Sequence, residues 1–156
     1  MQKFYITTPI FYPNANLHLG HAYTTTICDI LARYNRLAGK ETYFLTGSDE
    51  NTEKVVRAAK LARQDTEKYL DGIVSNFKGL FSKLEISYDQ FIRTSDAANH
   101  YPGVVEMWNR IAKAGDLEKR SYRGLYCVGH EAFITEKDIV DGKCPDHQRA
   151  PEILKE

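Results

Sequence analysis

Residues 3–12, KFYITTPIFY, are rich in aromatic and β-branched side chains, a texture that predicts a buried strand. Pro9 and Pro13 cannot donate to a ladder, so regular pairing is expected to stop after roughly the first six residues of that stretch. Beyond Ala22 the rhythm changes. Ile27, Ile30, Leu31, Tyr34, Leu37 and Ala38 recur at helical spacing, and Gly39 supplies a C-terminal stop. ETYFLTG reads as a second short strand ending at Gly47, and SDENTEKVVRAAKLA is polar first and then helical. A further helix carries Tyr69, Ile73, Phe77, Leu80, Phe81 and Leu84 as one apolar stripe, and ISYDQFIRT predicts another strand. Ala97–Ala114 predicts a last helix with Val104, Trp108, Ile111 and Ala112 turned inward and Gly115 ending it; Pro102 limits how early it starts, or kinks it.

Strands alternating with helices predict an α/β fold, a Rossmann-like parallel sheet with helices on its faces. Ligands of such sheets bind beyond the carboxyl ends of the strands. The polar loops 13–21 and 47–53 are both expected on that rim. From Leu117 the chain changes to short strands and turns, which places a domain border near Gly115: residues 1–115 form the sheet domain and 116–156 a small subdomain.

Composition changes this picture little. Basic and acidic residues balance at 21 each, so the chain as a whole carries no electrostatic footprint for DNA or RNA, although local contacts remain open. No apolar run approaches the ~20 residues of a membrane span. The N-terminal stretch MQKFYITTPIFYPN lacks the apolar core of a secretion signal, and a cytoplasmic address is the default expectation. Three cysteines exclude a disulfide framework. Cys28, among Ile27, Ile30 and Leu31, is expected to be a buried structural thiol.

Two clusters carry chemistry. In PNANLHLGH, His18 and His21 are three apart and share a face where a helix begins. Gly20 between them removes a side chain, so a ligand can come close to the backbone. A helix start favours an anion, most commonly a phosphate. Spacing alone is met more often by solvated or capping histidines, and a metal pair is also open, though no third ligand stands nearby apart from Asp29 on the same helix. The second cluster is C-x2-H, thirteen residues, then C-x2-H: Cys127, His130, Cys144 and His147, four nitrogen or sulfur ligands at zinc spacing. Gly129 and Gly142 permit tight turns around them. The alternative is a degenerate knuckle that keeps the fold and holds no metal.

The wording around the histidines narrows the choice. TTPIFYPNANLHLGHAYTTTICDILARYNRLAGKETYFLTGSDEN resembles the start of the class I aminoacyl-tRNA synthetases, whose first ATP signature is H-[IL]-G-H, and PIFYPNANLHLGHAY resembles the methionyl-tRNA synthetases in particular. The likeness continues through GSDENTEKV, YDQFIRT and GLYCVGHEAFITEKDIVDGKCPDH, over essentially the whole chain. It implies that Ile10 and Tyr12 line a methionine pocket and that Asp49 holds the substrate's α-amino group. Tyr12, Asn14, His18, Gly20 and His21 would bind ATP, with His18 and His21 as the catalytic pair. An N-cap role for Asp49 is the structural alternative. The resemblance further implies a connective-peptide zinc knuckle with structural zinc, ATP with magnesium as substrate, and initiator and elongator methionine tRNAs as partners of the full-length enzyme.

Two departures stand out. Members of that family commonly read D-E-H-G where this chain has DENT at 49–52, so a local change is expected at Asn51 and Thr52. They also more often carry cysteine at the position of His130. A second, lysine-rich signature similar to K-M-S-K-S is not found in the sequence, nor is the rest of the nucleotide fold or the helical anticodon-binding domain. The expectation is therefore the N-terminal part of a methionine–tRNA ligase, inactive by itself. The rival enzymes are another class I synthetase or an H-x-G-H nucleotidyltransferase. The rival from another class is a module that uses its knuckle to bind tRNA or a protein, with Lys113, Lys119, Arg120 and Arg123 supplying phosphate contacts.

Overall fold

The structure, a computed structural model, describes residues 1–156. Contacts divide the chain into two compact units, Met1–Asn109 and Arg110–Glu156. The division falls inside the last helix, whose C-terminal stop is Gly115 at φ +83°.

The first unit is built on three parallel strands in the order β1 (Lys3–Thr7), β2 (Glu41–Ser48), β3 (Gln90–Arg93). α1 (Leu19–Leu37) connects β1 to β2, while α2 (Glu53–Leu61) and α3 (Thr66–Lys83) lie between β2 and β3 in sequence. β1 stops before Pro9, as the prolines predict. After the break the chain touches the sheet once more, at a parallel bridge between Phe11 and Ser48. Phe11 donates its N–H to Gly47 (3.1 Å), and its carbonyl accepts from Asp49 N–H (2.9 Å). Both polar loops, 13–21 and 47–53, therefore begin at the carboxyl ends of adjacent strands. β2 and β3 approach so closely that a Cβ at Gly47 would lie 2.1 Å from the Ile92 carbonyl oxygen.

Hydrophobic periodicity located the helices and in two cases misjudged their buried face. On α1 the apolar stripe Ile27, Ile30, Leu31, Tyr34 and Leu37 is exposed, and the buried side chains are Thr25, Cys28, Asp29, Ala32 and Asn35. Small residues let this face lie close to the sheet, and its polar groups are all bonded. Asp29 accepts from Ser87 N–H (2.7 Å), Ser87 Oγ (2.6 Å) and Arg33 Nε (2.6 Å). Burial pushes the Asp29 carboxyl pKa up, but the Ser87 bonds and Arg33 outweigh it and hold the group below its ordinary value. Asp29 is thus a clamp on the turn before β3, committed there and not to a metal.

α4 (Tyr101–Ala114) begins four residues later than expected, with Pro102 in its first turn, because Asp96 Oδ1 first closes a turn on the N–H groups of Ala98 and Asn99. Val104, Trp108, Ile111 and Ala112, expected inward, lie open, with Trp108 62% exposed. A periodic stripe records which face prefers burial; whether a neighbour covers it depends on what else is folded beside it.

α3 behaves nearly as expected. Phe77 and Phe81 are fully buried and pack with Phe11, Ile73, Tyr88 and Phe91, while Leu70 takes the inward place expected of Tyr69. The second unit holds an antiparallel sheet in the order β5 (Ala132–Ile134), β4 (Arg123–Cys127), β6 (Glu152–Lys155). No helix of the chain is long and apolar enough to cross a membrane.

Candidate functional site

The rim of the parallel sheet collects the first cluster. Pro13 is buried, and the loop behind it is pinned to α3 twice: Tyr69 donates its hydroxyl to the Asn14 carbonyl (2.8 Å), and Asn76 Nδ2 donates to Asn16 Oδ1 (2.9 Å). The loop hands the chain to α1 at His18, the N-cap residue.

There the two histidines complete each other. His18 Nδ1 accepts the Gly20 N–H at 3.0 Å, and His21 Nδ1 accepts the His18 N–H at 3.1 Å. This is a reciprocal capping box made from two imidazoles instead of a hydroxyl and a carboxylate. Their ring centroids are 3.9 Å apart, and Phe11 meets His21 edge-on at 4.8 Å. With both Nδ1 atoms committed as acceptors, each neutral ring carries its proton on Nε2. Two N–H donors result, one on each ring. Burial, and then the charge of His18, hold the His21 pKa below that of a free imidazole, which preserves this neutral state.

The box corrects one expectation about Gly20. A Cβ there would lie 2.9 Å from His18 Cε1, so the space left by the missing side chain is taken by the His18 ring and not by room for a ligand. The Gly20 N–H is likewise already bound. Any anion at this helix start meets imidazole N–H groups.

His18→Asn, which keeps an N-cap acceptor, is expected to leave the unfolding midpoint nearly unchanged, whereas His18→Ala should lose about 1 kcal/mol in urea denaturation. His21 adds a pH dependence. The folded chain binds its proton more weakly than the unfolded chain does, so its contribution to stability is complete above about pH 6.5 and declines as pH falls below that. Urea midpoints measured from about pH 7.5 to 5.5 should fall, and less steeply in His21→Gln.

Asp49 is half-buried, and its backbone N–H donates directly to the Phe11 carbonyl at 2.9 Å. It is not the N-cap of α2. Thr52 fills that place at φ −123°, its hydroxyl accepting from Val55 N–H at 3.3 Å, while Asn51 Nδ2 donates to the Thr94 carbonyl (3.2 Å). The DENT departure thus becomes a capped helix start tied to the end of β3, and the Asp49 carboxylate is left for another partner. Ile10 and Tyr12 alternate with the buried Phe11 and are 38% and 39% exposed, so they form an open rim beside Asp49. Lys54 of α2 lies 5.1 Å above the Tyr12 ring.

Sequence reasoning passed over the group that stiffens this rim. The Glu50 side chain is fully buried; its Oε1 accepts from Ser48 Oγ (2.7 Å) and Arg93 Nε (2.7 Å), and its Oε2 accepts from Ser95 Oγ. Arg93 also holds Asp71 at 2.6 Å. An acidic residue next to a candidate ligand in a strand-end loop, with an arginine at the end of the neighbouring predicted strand, was the available signal.

The second cluster converges in the second unit. The ligand atoms of Cys127, His130, Cys144 and His147 all lie within 4.8 Å of one another. Sulfur–nitrogen separations are 3.5 Å (Cys144 to His147 Nδ1), 3.7 Å (Cys127 to His147 Nδ1) and 3.9 Å (Cys144 to His130 Nδ1). Bond lengths of about 2.3 Å to sulfur and 2.0–2.1 Å to nitrogen put tetrahedral ligand atoms about 3.6 Å apart, so the donor set fits zinc. The two turns are alike: each has a left-handed residue four places after its cysteine, Glu131 and Gln148, both at φ 52°. Gly129 leaves the notch that His147 fills, since a Cβ there would lie 2.3 Å from its ring. The backbone N–H of His130 donates to Cys127 and lowers that thiol's pKa, favouring the thiolate a metal needs.

These two sites sit in a sequence with many relatives. The sequence model of the family described as tRNA synthetases class I (M) matches residues 4–153. Methionine–tRNA ligases of Caldanaerobacter subterraneus subsp. tengcongensis and Clostridium perfringens are each 46% identical over 155 residues, 99% of this chain. The chain spans about a quarter, 24%, of the length of those relatives. Among solved structures, a Mycobacterium tuberculosis methionyl-tRNA synthetase in complex with methionyl-adenylate superposes with a TM-score of 0.91 at 38% identity, over 100% of this chain and 31% of that one. The parallel α/β sheet is therefore that of a class I synthetase. A match over nearly every residue, at this identity and with this superposition, places the chain in the family of class I tRNA synthetases for methionine.

Proposed function

We propose that this chain is the N-terminal part of a methionine–tRNA ligase, supplying the amino-acid rim and the first ATP-binding signature of its catalytic domain. The observation that carries this reading is the His18–His21 capping box, linked through Phe11 to Asp49, on the rim of a sheet shared with methionyl-tRNA synthetases. In the proposed first step a carboxylate oxygen of methionine attacks the α-phosphorus of magnesium-bound ATP, and pyrophosphate leaves. Asp49 would pair with the α-ammonium group, and Ile10 and Tyr12 would flank the thioether, whose sulfur favours an aromatic edge. The Nε2–H groups of His18 and His21, fixed in tautomer before substrate arrives, would donate to phosphate oxygens as charge develops. Transfer to the methionine tRNAs would follow in the full-length enzyme, in the cytoplasm.

The donor set 127/130/144/147 would hold a structural zinc. Four protein ligands leave no position for water, so the ion would tie the two turns together and take no part in catalysis. The border near Gly115 would separate this knuckle from the catalytic half.

Methionine-dependent ATP–pyrophosphate exchange tests the proposal. The chain alone should show none, and exchange should appear when a polypeptide bearing the remaining strands and the K-M-S-K-S loop is added. Near-native exchange by the chain alone would overturn the division of labour. No exchange after mixing, together with salt-sensitive tRNA binding, would favour the binding-module reading.

A further inference from the structure

The two histidines of the metal cluster are oriented by different means. His147 is seated by shape: its ring fills the notch over Gly129, and its Nδ1 faces both sulfurs. His130 has no such seat. Its side chain is 39% exposed, and its ring meets His147 edge-on at 4.5 Å. What holds its far side is Asp146, whose Oδ2 lies 3.0 Å from His130 Nε2 while His130 Nδ1 faces Cys144. Asp146 belongs to the opposite turn, between Pro145 and His147, so this bond also joins the two halves of the site.

Resting on the zinc reading above, we propose that Asp146 is a positioning residue for the metal: it keeps the His130 proton on Nε2 and directs the Nδ1 lone pair at the ion. A neutral imidazole has one N–H and one lone pair, and a carboxylate against Nε2 decides which nitrogen has which. It also sets a negative charge one bond behind a neutral ligand, at a site with two thiolates for a divalent cation. A cysteine at position 130 would need neither service, because a thiolate has a single donor atom and brings its own charge.

The test is zinc affinity of the 156-residue chain, measured by competition with a chromophoric chelator, with cobalt(II) absorption reporting the ligand set. Asp146→Ala should weaken zinc about tenfold, the low end of the range for partners of metal-bound histidines because this pair is open to solvent. Asp146→Asn, whose amide oxygen can still accept from Nε2, should recover most of that loss. In a His130→Cys background the Asp146→Ala change should leave affinity unaltered. Nitrogen-15 spectra of the zinc-bound chain should show the His130 proton on Nε2 in the parent and a mixture of tautomers in Asp146→Ala.

Equal losses in both backgrounds would mean that Asp146 supports the turn and does not orient His130, and would overturn the proposal. Parent affinity in Asp146→Ala would overturn it as well, leaving the zinc site standing. A parent chain that binds no zinc would overturn the zinc reading and this inference together.

Discussion

Arg93→Met should lower the unfolding free energy by about 3–5 kcal/mol, the usual result of removing one partner from a buried ion pair. Glu50 is fully buried while Arg93 is about a quarter exposed (26%), and Glu50 would keep only Ser48 and Ser95 as side-chain partners, so a buried charge would lose its counter-ion. A domain of this size has a total stability of only about 5–15 kcal/mol, so the loss is large enough to unfold much of the population. Urea denaturation of Arg93→Met, Glu50→Gln and the double variant gives the coupling. The double variant should be more stable than Arg93→Met, since a neutral amide in place of Glu50 removes the unpaired charge. A loss below about 1 kcal/mol in Arg93→Met, the size of an exposed pair, would show that Asp71 and Arg93 are a surface contact and that Glu50 is held by its serines alone. The Asp49 rim depends on this pair, because Glu50 anchors the residue next to it.

Removing the proposed zinc should have a larger and more local effect. Within Arg110–Glu156 the buried apolar side chains are Cys127 and Cys144, themselves proposed ligands. Beyond them the unit has only half-buried apolar side chains such as Leu125, Ile134 and Leu154, and edge-on contacts of Phe133 with Tyr122 (4.6 Å) and Tyr126 (5.4 Å). So small a core does not offset the entropy of ordering its chain. Structural zinc sites bind with apparent free energies of about 10–16 kcal/mol, which appear directly as folding free energy. Chelation is therefore expected to collapse the amide NMR dispersion of 110–156 while the resonances of the parallel-sheet unit stay in place, and added zinc should restore it. Unchanged spectra after chelation would show that the knuckle is held by its own turns, the degenerate form the spacing left open.

The sequence pattern was a good guide to elements and a poorer one to neighbours. Strand and helix positions in the first unit follow from β-branched runs, periodicity and the Pro and Gly stops, because those signals act over a few residues. α1 shows where such signals end. Its apolar stripe was plain in the sequence, yet the face against the sheet is Thr25, Cys28, Asp29, Ala32 and Asn35. Thr25 and Asn35 are satisfied on their own helix, by the His21 and Leu31 carbonyls, and Arg33 is one turn from Asp29, but Asp29 is fully bonded only because Ser87 was brought to it, and nothing near Asp29 in sequence announces Ser87. The same holds for Glu50 and Arg93, which are 43 residues apart.

The site divides along the same line. The amino-acid sequence by itself determined the family, the two histidines at a helix start and the four metal-type ligands, since residue types and spacings are properties of the chain. Only the tertiary structure decided that the histidines cap each other, that the His18 ring fills the space at Gly20, that Thr52 and not Asp49 caps α2, and that Asp146 stands behind His130. The physical reason is the range of the interactions. Propensity, capping chemistry and ligand spacing are written in neighbouring residues, whereas ring orientation, tautomer and the pairing of buried charge are set by atoms that the fold brings together.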